Sequence, residues 1–186
     1  MTTFTGQEVA NTAWAYAKLG VNHGALMEAL SERAMQGGFL STWNAQEVAT
    51  VAWAYATLGH RDELLMAALA NRTMGDGFLT TFKPLDVANT AWAYATLRIK
   101  DKALMAALAR RAMQADLLAM FKPQELANAG WAYATLGLRS KLLMTALAWR
   151  TMEEQFLSTA KSQEVAMFAW TYAKLAIRDE ALMSAL

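Results

Sequence analysis

Apolar residues recur every three to four positions along the chain, a spacing that predicts amphipathic helices. In the segment QEVANTAWAYAKLG, Val9, Ala13 and Tyr16 fall on one side of a helical wheel, flanked by Ala10 and Ala17. Polar side chains collect on the opposite side. The AWAYA stretch taken alone alternates with period two, as a strand would, but the flanking residues favour a helix. We therefore predict an amphipathic helix whose alanine-rich side faces the core.

Start and stop signals bound this first helix. Thr5 with Glu8 has the spacing of a capping box, and Asn44 with Glu47 repeats it. Prolines suited to the first helical position occur in two copies, at Pro84 and Pro123. Glycines suited to a left-handed helix end follow in three copies, at Gly20, Gly59 and Gly137. Arg98 and Ala176 replace that glycine elsewhere, so we expect those two ends to be less sharply terminated.

A second amphipathic helix follows in each copy, for example DELLMAALANRTM, with Leu65 and Leu69 four residues apart. Its predicted N-cap residues are Asp62, Asp101, Ser140 and Asp179. About ten residues then connect it to the next copy, and we expect the apolar ones, Phe78, Leu79 and Phe82, to pack under the neighbouring helices.

The pair of segments recurs every 39 residues without an insertion. Four columns carry the register: Trp14, Trp53, Trp92, Trp131 and Trp170; Tyr16, Tyr55, Tyr94, Tyr133 and Tyr172; Glu8, Glu47, Asp86, Glu125 and Glu164; and Met27, Met66, Met105, Met144 and Met183. Such a period predicts an all-α fold, a right-handed α-solenoid of tandem antiparallel helical hairpins in five copies, the last truncated. We expect one array over 1–186, with copies at about 4–42, 43–81, 82–120, 121–159 and 160–186, cut from a longer one.

Composition narrows the chemistry. The net charge is +1, so any nucleic-acid site must come from charge placement, and the absence of cysteine removes disulfides and thiolate metal sites. Charges interrupt every apolar stretch before it reaches membrane-spanning length, and the first residues resemble no leader peptide. His23 and His60 stand alone in turns, and no phosphate loop or metal-binding motif occurs. We expect no enzyme, cofactor, metal, membrane or small-molecule substrate.

The polar side of the first helix is the candidate binding surface. Its base-facing candidates are Gln7, Asn11, Lys18, Gln46, Thr50, Thr57, Asn89, Thr96, Gln124, Asn128, Thr135, Gln163, Met167 and Lys174. Basic residues border this stripe at both ends and are candidate phosphate contacts: Arg61, Lys83, Lys100, Lys122, Arg139, Lys161 and Arg178. Amides and hydroxyls that recur regularly along a surface favour binding of a polymeric ligand, with each repeat recognising one unit of it. An ordinary solvated face explains the same residues, and both interpretations stay open.

We assign structural roles, and not ligand contacts, to two further columns of residues. The tryptophans border the polar stripe, where packing against the next hairpin is favoured over base stacking. The column of Arg33, Arg72, Arg111 and Arg150 shares a face with the apolar leucines. We predict that these arginines form ion pairs with the acidic column between helices.

The segments FKPQELANAGWAYATLG and FKPLDVANTAWAYATL resemble the octotricopeptide repeat, a helical-hairpin repeat of organellar proteins related to FAST-kinase-like proteins. The resemblance covers essentially the whole chain, and copy four meets the pattern best. Departures occur elsewhere at Thr50, Leu85, Arg98, Ala160 and Met167. The resemblance implies sequence-specific binding of single-stranded RNA in chloroplasts or mitochondria, with a role in transcript stability, processing or translation. The tetratricopeptide repeat differs in period and in its tryptophan spacing.

Two functions are therefore expected from the sequence. The first is an RNA-binding solenoid, with about one nucleotide for each hairpin. The second is a scaffold that holds a peptide or a partner domain, which the modest charge and the abundant methionine allow.

Overall fold

Five long helices begin at residues 6, 45, 84, 123 and 162 of a computed structural model that describes residues 3–186, apart from the side chain of Glu154. The described chain is all-helical and contains no strand, so the predicted all-α class is confirmed. The helices are α1 Gly6–Leu19, α2 Gly24–Met35, α3 Ala45–Thr57, α4 Glu63–Thr73, α5 Pro84–Thr96, α6 Lys102–Ala112, α7 Ala115–Leu118, α8 Pro123–Thr135, α9 Lys141–Thr151, α10 Glu154–Leu157, α11 Ser162–Lys174 and α12 Glu180–Ala185. We refer to α1, α3, α5, α8 and α11 as the first helices, and to α2, α4, α6, α9 and α12 as the second helices.

The connecting segments are more ordered than the sequence suggested. Two of them contain a 3-10 turn, Phe39–Thr42 and Phe78–Thr81, and two contain the short helices α7 and α10. Phe82 is fully buried, and Phe78 and Leu79 pack against the core, as predicted. The apolar residues of the connections therefore form part of the core between successive hairpins.

Capping boxes fix where the first helices begin. The Thr5 hydroxyl accepts a hydrogen bond from the Glu8 amide at 3.3 Å, and the Glu8 carboxylate accepts one from the Thr5 amide at 2.8 Å. Asn44 and Glu47 form the same pair, which confirms both predicted boxes. The Glu8 carboxylate accepts bonds from both the amide and the hydroxyl of Thr5, and these two bonds hold the pKa of Glu8 below its ordinary value. The acidic column is thus occupied in satisfying backbone amides at the helix start.

The predicted ion pairs between the arginine column and the acidic column are wrong. Instead, each arginine of this column donates to a backbone carbonyl beside the start of a first helix: Arg33 to Phe4, Arg72 to Trp43, Arg111 to Phe82 and Arg150 to Ala119. Three of them also lie over a phenylalanine ring, those of Phe39, Phe78 and Phe156. The arginines therefore tie α2, α4 and α6 to the residues just before their own first helices, and tie α9 to the end of α7, all through main-chain carbonyls.

Every first helix ends in the same left-handed turn, with or without glycine. Arg98 (φ 56°) and Ala176 (φ 51°) adopt the backbone conformation of Gly20, Gly59 and Gly137. The Arg98 amide donates to Ala95 and the Ile99 amide to Tyr94, so the helix end keeps its hydrogen bonds. The expected looser ends at Arg98 and Ala176 are therefore wrong. The surrounding hairpin imposes the turn and leaves the strain at residues that have a Cβ atom.

Arg98→Gly is expected to raise the free energy of unfolding by about 0.5–1 kcal/mol. Glycine adopts a positive φ without steric cost, and this gain exceeds the loss caused by the greater freedom of glycine in the unfolded chain. Denaturant unfolding monitored by circular dichroism measures the change. The reverse substitution, Gly59→Ala, serves as the control and should destabilise by a similar amount. A loss of stability in Arg98→Gly would contradict a strained turn.

The first helices pack side by side in chain order, α1 against α3, α3 against α5, α5 against α8 and α8 against α11. Small side chains permit this close approach, since Ala13, Ala52, Ala54, Ala91 and Ala93 are fully buried. The second helices touch one another less and form a second layer. One continuous core lies between the two layers. The outward side of the first helices is therefore a continuous surface that crosses all five of them.

The tyrosine column joins successive hairpins. The Tyr55 hydroxyl donates to the Met27 carbonyl at 2.6 Å, and Tyr94 and Tyr172 donate to the carbonyls of Met66 and Met144 at 2.5 Å. Tyr133 makes the equivalent bond to Met105. Burial raises the pKa of all four phenols above the ordinary value, so they stay neutral donors at physiological pH.

Candidate nucleic-acid interface

The predicted base-facing residues lie on the outward side of the first helices, and none of them is fully buried. The exposed ones are Gln7, Asn11, Lys18, Gln46, Thr57, Gln124, Gln163 and Lys174. The half-buried ones are Thr50, Asn89, Thr96, Asn128, Thr135 and Met167. The glutamine near the start of a first helix is therefore exposed in all four helices that have one.

The structure brings several of these residues together between neighbouring hairpins. Gln7 and Asn11 of α1 and Gln46 and Thr50 of α3 line one open cleft of about 190 Å³. Asn44 and Glu47 complete its wall. Amide and hydroxyl groups from two helices thus converge on one small space, where they can donate and accept hydrogen bonds to a planar polar ligand.

The threonines of the stripe are not equivalent. Thr57 is exposed, whereas the hydroxyl oxygens of Thr96 and Thr135 are buried and have no hydrogen-bond partner within residues 3–186. A buried hydroxyl without a partner is costly, typically by about 1–3 kcal/mol. Thr96 and Thr135 are therefore the two stripe residues whose polar groups lack contact with both solvent and protein.

The tryptophan column shares this surface to a greater extent than the sequence indicated. Trp53, Trp92 and Trp131 pack against the core, as predicted, but remain half-buried. Trp14 and Trp170 are more open, with 47% and 42% of their surface exposed. The signal was present in the sequence, since Trp14 follows Gln7 by seven residues, two helical turns, and so lies on the same face.

Neighbouring tryptophans also lie close to one another or to a cation. The rings of Trp92 and Trp131 have centroids 6.4 Å apart and are tilted by 30°. The Lys18 ammonium lies 5.8 Å from the Trp14 ring centroid and 5.7 Å from that of Trp53, a cation–π arrangement with both. The surface therefore carries aromatic rings alongside its amides.

The seven predicted phosphate contacts are all exposed, but their electrostatic surroundings differ. Arg61 and Arg178 form ion pairs with Glu63 at 2.9 Å and Glu180 at 2.6 Å. Lys102 and Lys141 stand where those glutamates occur. The turns after α5 and α8 are therefore more basic than the turns after α3 and α11.

Lysines at these positions were not singled out from the sequence. Lys102 and Arg139 line one cleft of about 180 Å³ together with Ser140. Across the described part of the chain, no ion pair includes Lys100, Lys102, Arg139 or Lys141. The neighbouring Asp101 carboxylate accepts from the Leu104 amide at 2.9 Å as a helix cap. Four cations of the central hairpins thus remain available to a polyanion.

Two negative findings apply to residues 3–186. No helix there is both long enough and apolar enough to cross a bilayer. No group of three or more histidine, aspartate or glutamate side chains in that range is arranged to hold a metal ion.

Most of the chain matches a known family model. Residues 39–186 match the model of a family described as RNA-editing substrate-binding complex 6 protein, a span that runs from the first 3-10 turn to the end of α12. A search of curated proteins found no match.

Proposed function

The chain belongs to the RNA-editing substrate-binding complex 6 family, and from this premise we propose that it binds single-stranded RNA along the outward side of its first helices. The observation that carries the proposal is the convergence of Gln7, Asn11, Gln46 and Thr50 in one open cleft on that surface. Paired bases hide their hydrogen-bonding edges, whereas unpaired bases offer them to such groups.

Each part of the surface has a distinct role in this proposal. Side chains of the stripe meet base edges, and the exposed cations at both ends of the first helices contact phosphates. About one nucleotide for each hairpin is the expected scale, by analogy with other helical-repeat RNA readers. The hairpins would continue as a right-handed superhelix, so that successive bases follow successive first helices.

The biological role follows from the family and from the octotricopeptide resemblance. The family description names RNA editing and a substrate-binding complex, which supports a function in RNA processing for this chain as well. Kinship with octotricopeptide proteins, a role in transcript stability or translation, and a mitochondrial or chloroplast location remain predictions.

A protein scaffold is the second candidate, and one observation favours it. Leu64 and Leu142 are 74% exposed and Trp149 is 64% exposed, all three on second helices. Large apolar side chains on that layer are suited to protein contacts, since tryptophan is enriched at interface hot spots. The two candidates use opposite layers and are compatible in one protein of an RNA-binding complex.

Fluorescence anisotropy with a labelled random pool of single-stranded RNA tests the proposal. Binding should be measurable at low salt, fall steeply as salt increases, and exceed binding to a duplex of equal length. Asn89→Ala should alter the base preference in a selection from the pool, whereas Asn71→Ala, at an exposed site on α4, should leave it unchanged. Absence of binding to the pool at low salt would refute RNA binding and leave the scaffold.

A further inference from the structure

The closest pair of aromatic rings on the proposed RNA surface joins α5 to α8. Trp92 and Trp131 are both half-buried, with ring centroids 6.4 Å apart and planes 30° from parallel. A planar base stacks at about 3.4 Å from its neighbour, so a base between two rings requires about 6.8 Å. The centroid separation is a few tenths of an ångström short of this value, so a base enters only if the rings move apart and turn parallel.

A cation occupies the equivalent space in the first two hairpins. There the Lys18 ammonium lies within 5.8 Å of the ring centroids of both Trp14 and Trp53. The position of Lys18 is taken in α5 by Thr96, 78 residues later and thus in the same register. The shorter threonine contributes no cation to the Trp92–Trp131 pair.

Thr96 also leaves an unpaired hydroxyl one helical turn after Trp92. Its hydroxyl oxygen is buried and makes no hydrogen bond with any residue in the described range. Buried hydroxyls in proteins nearly always have a partner. A polar edge of an inserted ring can supply one.

Charge beyond the ends of α5 and α8 points to the class of occupant. Lys100 and Arg139 lie in the turns that follow α5 and α8, and Lys102 begins α6; none of the three forms an ion pair among the described residues. A nucleotide combines a planar π-system with an attached phosphate, which matches aromatic rings on helices that are followed by unpaired cations.

We infer that Trp92 and Trp131 form a stacking slot for one unpaired nucleobase of the bound RNA. This inference rests on the proposed function and assigns a specific contact within it. Stacking on an indole ring accepts any of the four bases, so the slot holds the strand, while the amides of the stripe discriminate between bases. Lys18 fills the corresponding slot between Trp14 and Trp53.

Substitution of the rings is the direct test. Trp92→Leu and Trp131→Leu keep apolar bulk for packing and remove the stacking surface. Each should weaken binding of a single-stranded RNA pool roughly tenfold to a hundredfold, the range found for loss of one base–aromatic stack. Trp149→Leu, on α9 of the other layer, is the matched control and should bind normally. RNA should also quench the tryptophan fluorescence of the native chain more than that of Trp92→Leu.

Thr96→Lys separates stacking from simple charge attraction, and it serves even if a tryptophan variant fails to fold. The new lysine should occupy the slot as Lys18 does, and so weaken RNA binding although it adds a positive charge. Tighter binding by Thr96→Lys would overturn the slot. So would unchanged affinity in both folded tryptophan variants while the native chain binds RNA, an outcome that leaves the proposed function intact. Failure of the native chain to bind RNA would refute both the proposed function and the slot. Quenching of the tryptophan fluorescence by an aromatic peptide and not by RNA would reassign the slot to a protein ligand.

Discussion

Tyr94→Ala is expected to lower the free energy of unfolding by about 3–5 kcal/mol, as for other large aromatic residues removed from a core. Tyr94 is 1% exposed, and its hydroxyl donates to the Met66 carbonyl at 2.5 Å. The substitution leaves a cavity between two hairpins and removes the phenol donor from the Met66 carbonyl, which keeps only its bond within α4. In a stacked array, such a loss also weakens the coupling between the units on either side.

Tyr94→Phe isolates the hydrogen bond, because it keeps the ring. It should cost about 0.5–1.5 kcal/mol, the usual net contribution of one hydrogen bond, because the Met66 carbonyl keeps its donor within α4. Tyr16→Phe is the control, since Tyr16 is half-buried and its hydroxyl makes no hydrogen bond with any residue of the described range. Guanidinium unfolding of the three variants measures the differences. Equal stability of Tyr94→Phe and Tyr16→Phe would show that the bond to Met66 adds nothing.

The largest expected effect on RNA binding comes from neutralising the central cations. Replacement of Lys100, Lys102, Arg139 and Lys141 by glutamine should lower affinity roughly a hundredfold at low salt. The plot of log affinity against log salt should become less steep by about 0.7 for each phosphate that the variant no longer neutralises. Anisotropy titrations at several salt concentrations measure both quantities.

The same exchange at Arg61 and Arg178 provides the comparison. These two cations are already paired with Glu63 and Glu180, so their loss should change the salt slope less for each residue. Equal effects per residue at paired and unpaired sites would show that the central turns have no special role.

Local signals in the sequence predicted the helices and their caps correctly. The capping pairs Thr5–Glu8 and Asn44–Glu47 and the caps Asp62 and Asp101 depend on residues three apart, which the chain itself places together. The same reasoning failed at Arg98, because the left-handed turn there is imposed by the packed hairpin and not by the residue.

Partners that are distant in sequence were harder to predict. Arg72 was assigned to a carboxylate but donates to the Trp43 carbonyl, 29 residues away, since the acidic side chain already binds the helix start. A compensating pair of differences between copies of the repeat, at Gly130 and Thr171, was also missed. A Cβ atom on Gly130 would lie 3.3 Å from the Thr171 side chain, so the missing methyl makes room for the larger neighbour. Nothing at either position alone indicates the other.

For the candidate site, the sequence predicted the accessibility of the stripe but not the packing around it. The helical wheel correctly placed the amides on an accessible face, because burial follows helical periodicity. The exposure of the tryptophans and the sealing of the Thr96 hydroxyl depend on how closely the next hairpin approaches, a distance that no periodicity encodes. Lys102 and Lys141 gain their importance only by contrast with Glu63 and Glu180.

The acceptor of each tyrosine bond is a main-chain oxygen, an atom that every amino acid carries. A methionine whose carbonyl receives a phenol can therefore be exchanged without loss of the acceptor, provided that the new side chain fits. A hairpin copied by gene duplication would meet its neighbour with this contact already complete, needing no matched change on the other side. Lengthening of such an array by whole units is thus chemically simple, while its outward residues remain free to diverge.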